Sequence, residues 1–117
     1  MKIIKVEKVT TDLIKVFNLE SKDELYSLEL EDKNIGYGII REDINNRLEV
    51  YILSEYQGKG YGTKLFKELL KIINKEVSVQ VDIENIIMRK ILNYCKAIEI
   101  GRNGKTIRYI IPNKEGY

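Results

Sequence analysis

The chain has 117 residues, 44% of them apolar and 32% charged, which suits a single domain over residues 1–117 with a core of its own. A net charge of +2 is too small to argue for nucleic acid or a membrane surface as partner, and no apolar run reaches membrane-spanning length. With no His and one Cys, His-dependent triads and intramolecular disulfides are excluded, a zinc site is disfavoured (no metal is expected), and a reducing, cytoplasmic setting fits best.

Taken in order, Lys2 to Val9 reads as a first strand, and Thr10 and Thr11 are placed to cap a short helix carrying Leu13, Ile14, Val16 and Phe17 on one side. Leu25–Glu31 alternates, and Ile35–Ile40 follows after Asp32-Lys33-Asn34, which is the pattern of a hairpin. Asp43 to Asn46 reads as a turn into Arg47–Leu53, a β-branched and aromatic strand. Leu65, Phe66, Leu69, Leu70, Ile72 and Ile73 then recur at helical spacing. Val77–Val81 alternates as a strand. Asp82 or Glu84 is expected to open a second long helix through Ile86, Ile87, Met88, Ile91 and Leu92. Ala97–Ile100 and Thr106–Ile111 flank an Asn103-Gly104 hairpin signal, and Pro112 ends the last strand. This order predicts an α+β fold with a mixed, mostly antiparallel sheet and helices on both faces.

Between the apolar strand and the helix lies Glu55-Tyr56-Gln57-Gly58-Lys59-Gly60-Tyr61-Gly62-Thr63. N–H groups at the start of a helix have no partner within it, and with the helix dipole they form an anion site. The glycine spacing does not fit a dinucleotide fingerprint, and Gly62-Thr63-Lys64 has the wrong order for a Walker A loop. Gln57, Gly60 and Gly62 do fit Gln/Arg-x-x-Gly-x-Gly/Ala. The run resembles the pyrophosphate-binding signature of the GNAT-type N-acetyltransferase superfamily. The order of elements is similar to that fold along nearly the whole chain, with the first helical segment shortened. The motif-level likeness runs from about Arg47 to Leu92.

The resemblance implies acetyl-CoA as cosubstrate and an amine acceptor, small molecule or protein. Gln57, Gly58, Lys59, Gly60, Tyr61, Gly62 and Thr63 would take the pyrophosphate. Val50, Tyr51 and Ile52 would offer backbone groups to the pantetheine arm, and Asn85 matches an Asn that often lies near it. A shortened first helical segment would leave the acceptor site open, for a peptide amine or for completion by a second copy of the chain in a homodimer. The pattern breaks at Leu92, where many members carry the Tyr that protonates the leaving thiolate. Restoring it with Leu92→Tyr is expected to raise turnover. Tyr94, two residues on, is about 200° around a helix from Leu92, so it replaces that Tyr only if the helix ends near Asn93. Glu49 is the first carboxylate to try as base, although its spacing to Gln57 does not fit the family's base position; a tyrosine and water are the other candidates. These readings give an N-acetyltransferase acting by direct attack. The rivals are a non-catalytic acetyl-CoA-binding module and an interaction domain that binds no cofactor.

Overall fold

The computed structural model describes residues 1–42, 46–73 and 75–112. Seven strands form one sheet in the order β1-β2-β3-β4-β5-β7-β6. They are β1 (Lys2–Lys5), β2 (Glu24–Leu30), β3 (Lys33–Arg41), β4 (Arg47–Ile52), β5 (Val77–Asp82), β6 (Ile98–Asn103) and β7 (Thr106–Ile111). The helices are α1 (Thr11–Phe17), α2 (Tyr61–Ile72) and α3 (Ile86–Tyr94), with a 3-10 turn at Ser54–Tyr56. The order of elements is the one the sequence predicts.

Several boundaries differ for local reasons. β1 stops at Lys5, although the Val6 N–H still reaches the Leu25 carbonyl at 2.9 Å. α3 is capped by Asn85, whose side chain accepts from the Met88 N–H at 3.1 Å; Asp82 and Glu84 lie in the turn before it. β6 runs on to Asn103, which pairs with Thr106, so the tight turn is Gly104-Lys105 with Gly104 at φ 59°. Of the turn predicted at Asp43 to Asn46, residues 43–45 lie outside the described residues, and Asn46 has φ 50°.

Strand alternation sorts the side chains to two faces. Register puts Ser27, Tyr37 and Tyr51 side by side on one face, with Leu25, Ile39 and Glu49 beside them. α1 sits there: Phe17 packs on Tyr37 and Tyr51 with ring centroids 5.3 and 5.0 Å apart. The other face carries Tyr26, Gly38 and Val50. α2 lies on it, and a Cβ at Gly38 would collide with Leu69, so glycine there lets helix and sheet approach. Leu65, Phe66, Leu69 and Leu70 of α2 are buried in one core with Val77, Val79 and Val81 of β5, Ile107 and Tyr109 of β7, and Leu92 of α3. Full burial of each large apolar side chain contributes about 1.5–3 kcal/mol. That core fixes the end of β4 and the start of α2 relative to β5. Among the described residues no helix is long and apolar enough to cross a membrane.

Candidate active-site cleft

β4 and β5 are the parallel neighbours of an otherwise antiparallel sheet, and their register holds at a single pair, Arg47 with Ser78. Beyond that pair they separate, and the gap is a cavity of about 690 Å³. The cleft has two unlike halves. On the α2 side it is lined by Leu48, Val50, Phe66, Val79, Val81 and Met88, with Gly62, Thr63 and Asn85 at its border. On the α1 side, alternation along β4, β5 and β7 brings Arg47, Glu49, Tyr51, Gln80, Asp82 and Thr106 together. An apolar half suits an alkyl amide arm and a polar half suits an amine.

The glycine loop joins the end of β4 to α2. Gln57 turns its side-chain amide back and donates to the Ile52 carbonyl at 2.8 Å, which ties the loop to the strand it leaves. Gly58 has φ 76° and Gly60, the N-cap of α2, has φ 85°, a left-handed conformation that disfavours side chains with a Cβ. Nothing lies within 4 Å of where a Cβ would stand at either glycine. No side chain caps α2, and the first backbone bond of the helix is Lys64 N–H to the Gly60 carbonyl at 3.1 Å. The N–H groups of Tyr61, Gly62 and Thr63 therefore lack an intrahelical partner, which is the arrangement that binds a phosphate. Gly62 has ordinary φ and a Cβ there would rest 3.6 Å from Ile52, so its place in the motif is one of space rather than of backbone strain. Lys59 holds its ammonium 5.9 Å over the ring of Tyr56, which in turn meets Tyr61 edge-on.

Of the predicted site residues, Glu49, Val50, Tyr51, Gly62, Thr63 and Asn85 line the cleft, and Gln57 to Tyr61 form the adjoining loop. Ile52 packs against the core instead. Tyr94 is 86% exposed at the end of α3 and does not line the cleft, because the helix continues through Asn93. Leu92 is fully buried in the core and is likewise no part of the lining. The expected gain from Leu92→Tyr is thus corrected: the larger ring has no space, and the substitution is expected to lower stability by about 1–3 kcal/mol through overpacking. A fall in the urea midpoint checks this, whereas unchanged stability with faster turnover would show that the site admits a phenol at the thioester.

Glu49 is bound on all sides. One carboxylate oxygen accepts from Arg41 Nε and from the Tyr51 hydroxyl, each at 2.9 Å, and the other lies 3.0 Å from Arg47 Nε. Burial first, and then the hydrogen bond to Glu49, raise the Tyr51 phenol above its ordinary pKa, so it stays a donor at neutral pH. Arg41 was not singled out by sequence. Its guanidinium also donates to the Phe17 and Asn18 carbonyls at 2.6 and 3.1 Å and lies 3.5 Å from Asp23, joining α1 to β4. Gln80, Asp82 and Thr106 were also missed as lining residues; the signal for the first two was their alternation with Val79 and Val81.

Comparison with known proteins agrees with this geometry. The family model described as an acetyltransferase (GNAT) domain matches residues 21–97. Among solved structures, a chimera of the Vibrio cholerae spermidine N-acetyltransferase and hSSAT superposes with a TM-score of 0.67 at 20% identity, over 89% of this chain and 75% of that one. The Escherichia coli ribosomal-protein alanine N-acetyltransferase gives a TM-score of 0.67 at 14% identity, over 93% of this chain and 81% of that one. An IAA acetyltransferase from Bacillus cereus gives 0.65 at 15% identity, over 95% and 98%. No curated protein sequence matches the chain. The match covers more than half of the chain, and with the glycine loop and the parted β4–β5 pair it shows that the chain belongs to the GNAT acetyltransferase family.

Proposed function

We propose that the protein is an N-acetyltransferase that moves an acetyl group from acetyl-CoA to an amine by direct attack. The observation that carries this reading is the two-sided cleft between β4 and β5, continuous with the glycine loop at the start of α2. The loop N–H groups would hold the pyrophosphate, and the apolar side, along Val50, Val79, Val81 and Met88, would take the pantetheine arm with Asn85 beside it. The amine would enter from the polar side. Its nitrogen forms the new C–N bond at the thioester carbonyl while the C–S bond breaks, and the amine proton is lost to water as the departing thiolate takes one up.

Solvent serves as proton acceptor in this reading because Glu49 already engages Arg41, Arg47 and Tyr51. A second reading, a module that binds acetyl-CoA without turnover, is favoured by the burial of Leu92 where many family members place a proton donor. Release of free CoA from acetyl-CoA in the presence of spermidine, and of a peptide with N-terminal alanine, separates the two. These acceptors are chosen because the structural neighbours are named for such substrates. Amine-dependent release supports transfer; binding of acetyl-CoA with no release beyond buffer favours the module.

A further inference from the structure

In the polar half of the cleft, the hydrogen bonding of Tyr51 runs in one direction. Its hydroxyl donates to Glu49 at 2.9 Å, and an ionised carboxylate only accepts, so the phenolic proton is committed there. The same carboxylate takes Arg41 Nε at 2.9 Å and lies 3.0 Å from Arg47 Nε. The ring is held against Phe17 of α1, centroids 5.0 Å apart, and register sets Tyr37 beside it. Tyr51 nonetheless lines the cleft and is 42% exposed. It offers the cleft an uncharged oxygen, held in place, that is able to accept.

The charges around that oxygen balance. Arg41 also faces Asp23 at 3.5 Å, and its donors approach the phenol itself, which makes the oxygen a poor seat for a cation. Across the gap Asp82 accepts the Glu84 N–H at 2.8 Å, and Arg108, which register sets opposite Gln80, stands on the same face. α1 meets Tyr51 through Phe17, which carries no charge. The guanidiniums of Arg41, Arg47 and Arg108 thus stand with the carboxylates of Asp23, Glu49 and Asp82, without an excess of negative charge to hold an ammonium.

We propose that the Tyr51 phenol oxygen binds the acceptor nitrogen by accepting its N–H, and so selects that nitrogen in its neutral, attacking form. The proposal rests on the acetyl-transfer reading and deepens it. A bare carboxylate at that place would stabilise the protonated amine, whose lone pair is taken and cannot attack. An amine that gives one N–H to a phenol oxygen keeps its lone pair for the thioester carbonyl.

The test is amine binding without turnover, on protein saturated with S-ethyl-CoA, a thioether with no acyl group to give. The probes are a peptide with N-terminal alanine, whose α-amine has an ordinary pKa of about 8, and spermidine. The chain has no His, and burial first, then Glu49, raises the Tyr51 phenol, so between pH 6.5 and pH 9 the change at this contact falls on the amine. The peptide is expected to bind at least about tenfold tighter at pH 9, following its neutral fraction. In protein carrying 13C-labelled tyrosine, the Tyr51 ring signal, assigned by its loss in Tyr51→Phe, is expected to shift as amine is added. Tyr51→Phe keeps the ring on Phe17 and is expected to weaken amine binding about two- to tenfold, the size of one neutral hydrogen bond, with S-ethyl-CoA affinity unchanged. A purely structural Tyr51 would instead lower the melting temperature and leave amine affinity alone. Equal or tighter peptide binding at pH 6.5, or a Tyr51 signal that neither amine moves, overturns the proposal. Acetyl-CoA in place of the thioether separates the two readings. An amine-dependent shift at Tyr51 with no CoA released upholds the binding role and defeats acetyl transfer. Transfer whose kcat/KM is unaltered in Tyr51→Phe keeps acetyl transfer and overturns the role.

Discussion

Replacing Gly60 with valine is expected to lower acetyl-CoA affinity by about a hundredfold or more while leaving the sheet folded. Two costs fall on one residue. At φ 85° a β-branched side chain is strained by roughly 1–3 kcal/mol, so the loop shifts away from the path that presents its N–H groups. The new side chain would also stand in the open space beside the α2 N-terminus, where a phosphate would sit. A hundredfold corresponds to about 2.7 kcal/mol, which those two effects together reach. Gly62→Ala makes the contrast, since Gly62 has no positive φ and a Cβ there meets only ordinary contact with Ile52. Titration of acetyl-CoA, with circular dichroism as the control for folding, measures both. Wild-type affinity in Gly60→Val would place the phosphate contact elsewhere.

The second large effect is expected at Glu49 and is one of stability rather than of rate. Glutamine keeps the shape but removes the charge that the guanidinium of Arg41, whose side chain is only 16% exposed, meets at 2.9 Å and that Arg47 meets at 3.0 Å; Arg41 keeps Asp23 at the longer distance of 3.5 Å. Hydrogen bonds to charged groups contribute about 1.5–3 kcal/mol, and partial exposure trims the sum, so Glu49→Gln is expected to cost about 2 kcal/mol. For a domain of this size that is a fall in Tm of roughly 6–10 °C. Were Glu49 the general base, the signature would be a maximal rate reduced about 10²-fold with the melting temperature unmoved. The two outcomes are read by different instruments on the same preparation, and a rate loss without a thermal loss would return Glu49 to the chemistry.

Most of the architecture was legible because periodicity states which face of each element is apolar. Leu65, Phe66, Leu69 and Leu70 announce α2, and the alternation of Val77, Val79 and Val81 announces β5. The glycine loop was legible because positive φ selects glycine, at Gly58 and Gly60. What periodicity does not state is how far apart neighbouring strands lie. The parting of β4 from β5 after Arg47 is written in neither strand's alternation, and with it goes the membership of Gln80, Asp82 and Thr106 in the cleft. The cap of α3 was placed at Asp82 or Glu84 because several residues there are able to cap; the path of the chain selects Asn85. Arg41 was hidden because its partners Phe17 and Asn18 are distant in sequence, and a lone Arg at a strand end carries no pattern. Leu92 was legible as core from its place in the apolar stripe of α3, and the family pattern drew attention to it for a different reason.

Titration of acetyl-CoA into isotope-labelled protein, followed by amide NMR, tests the central claim most directly. The account predicts saturable binding with the largest shifts at Val50 and Tyr51 on β4, at Gly58 to Thr63 in the loop, and at Asn85 and Met88 on α3, and a stabilisation of about 2.7 kcal/mol at a hundred times the dissociation constant. No binding, or shifts gathered on β1 or β6 away from the cleft, would contradict it.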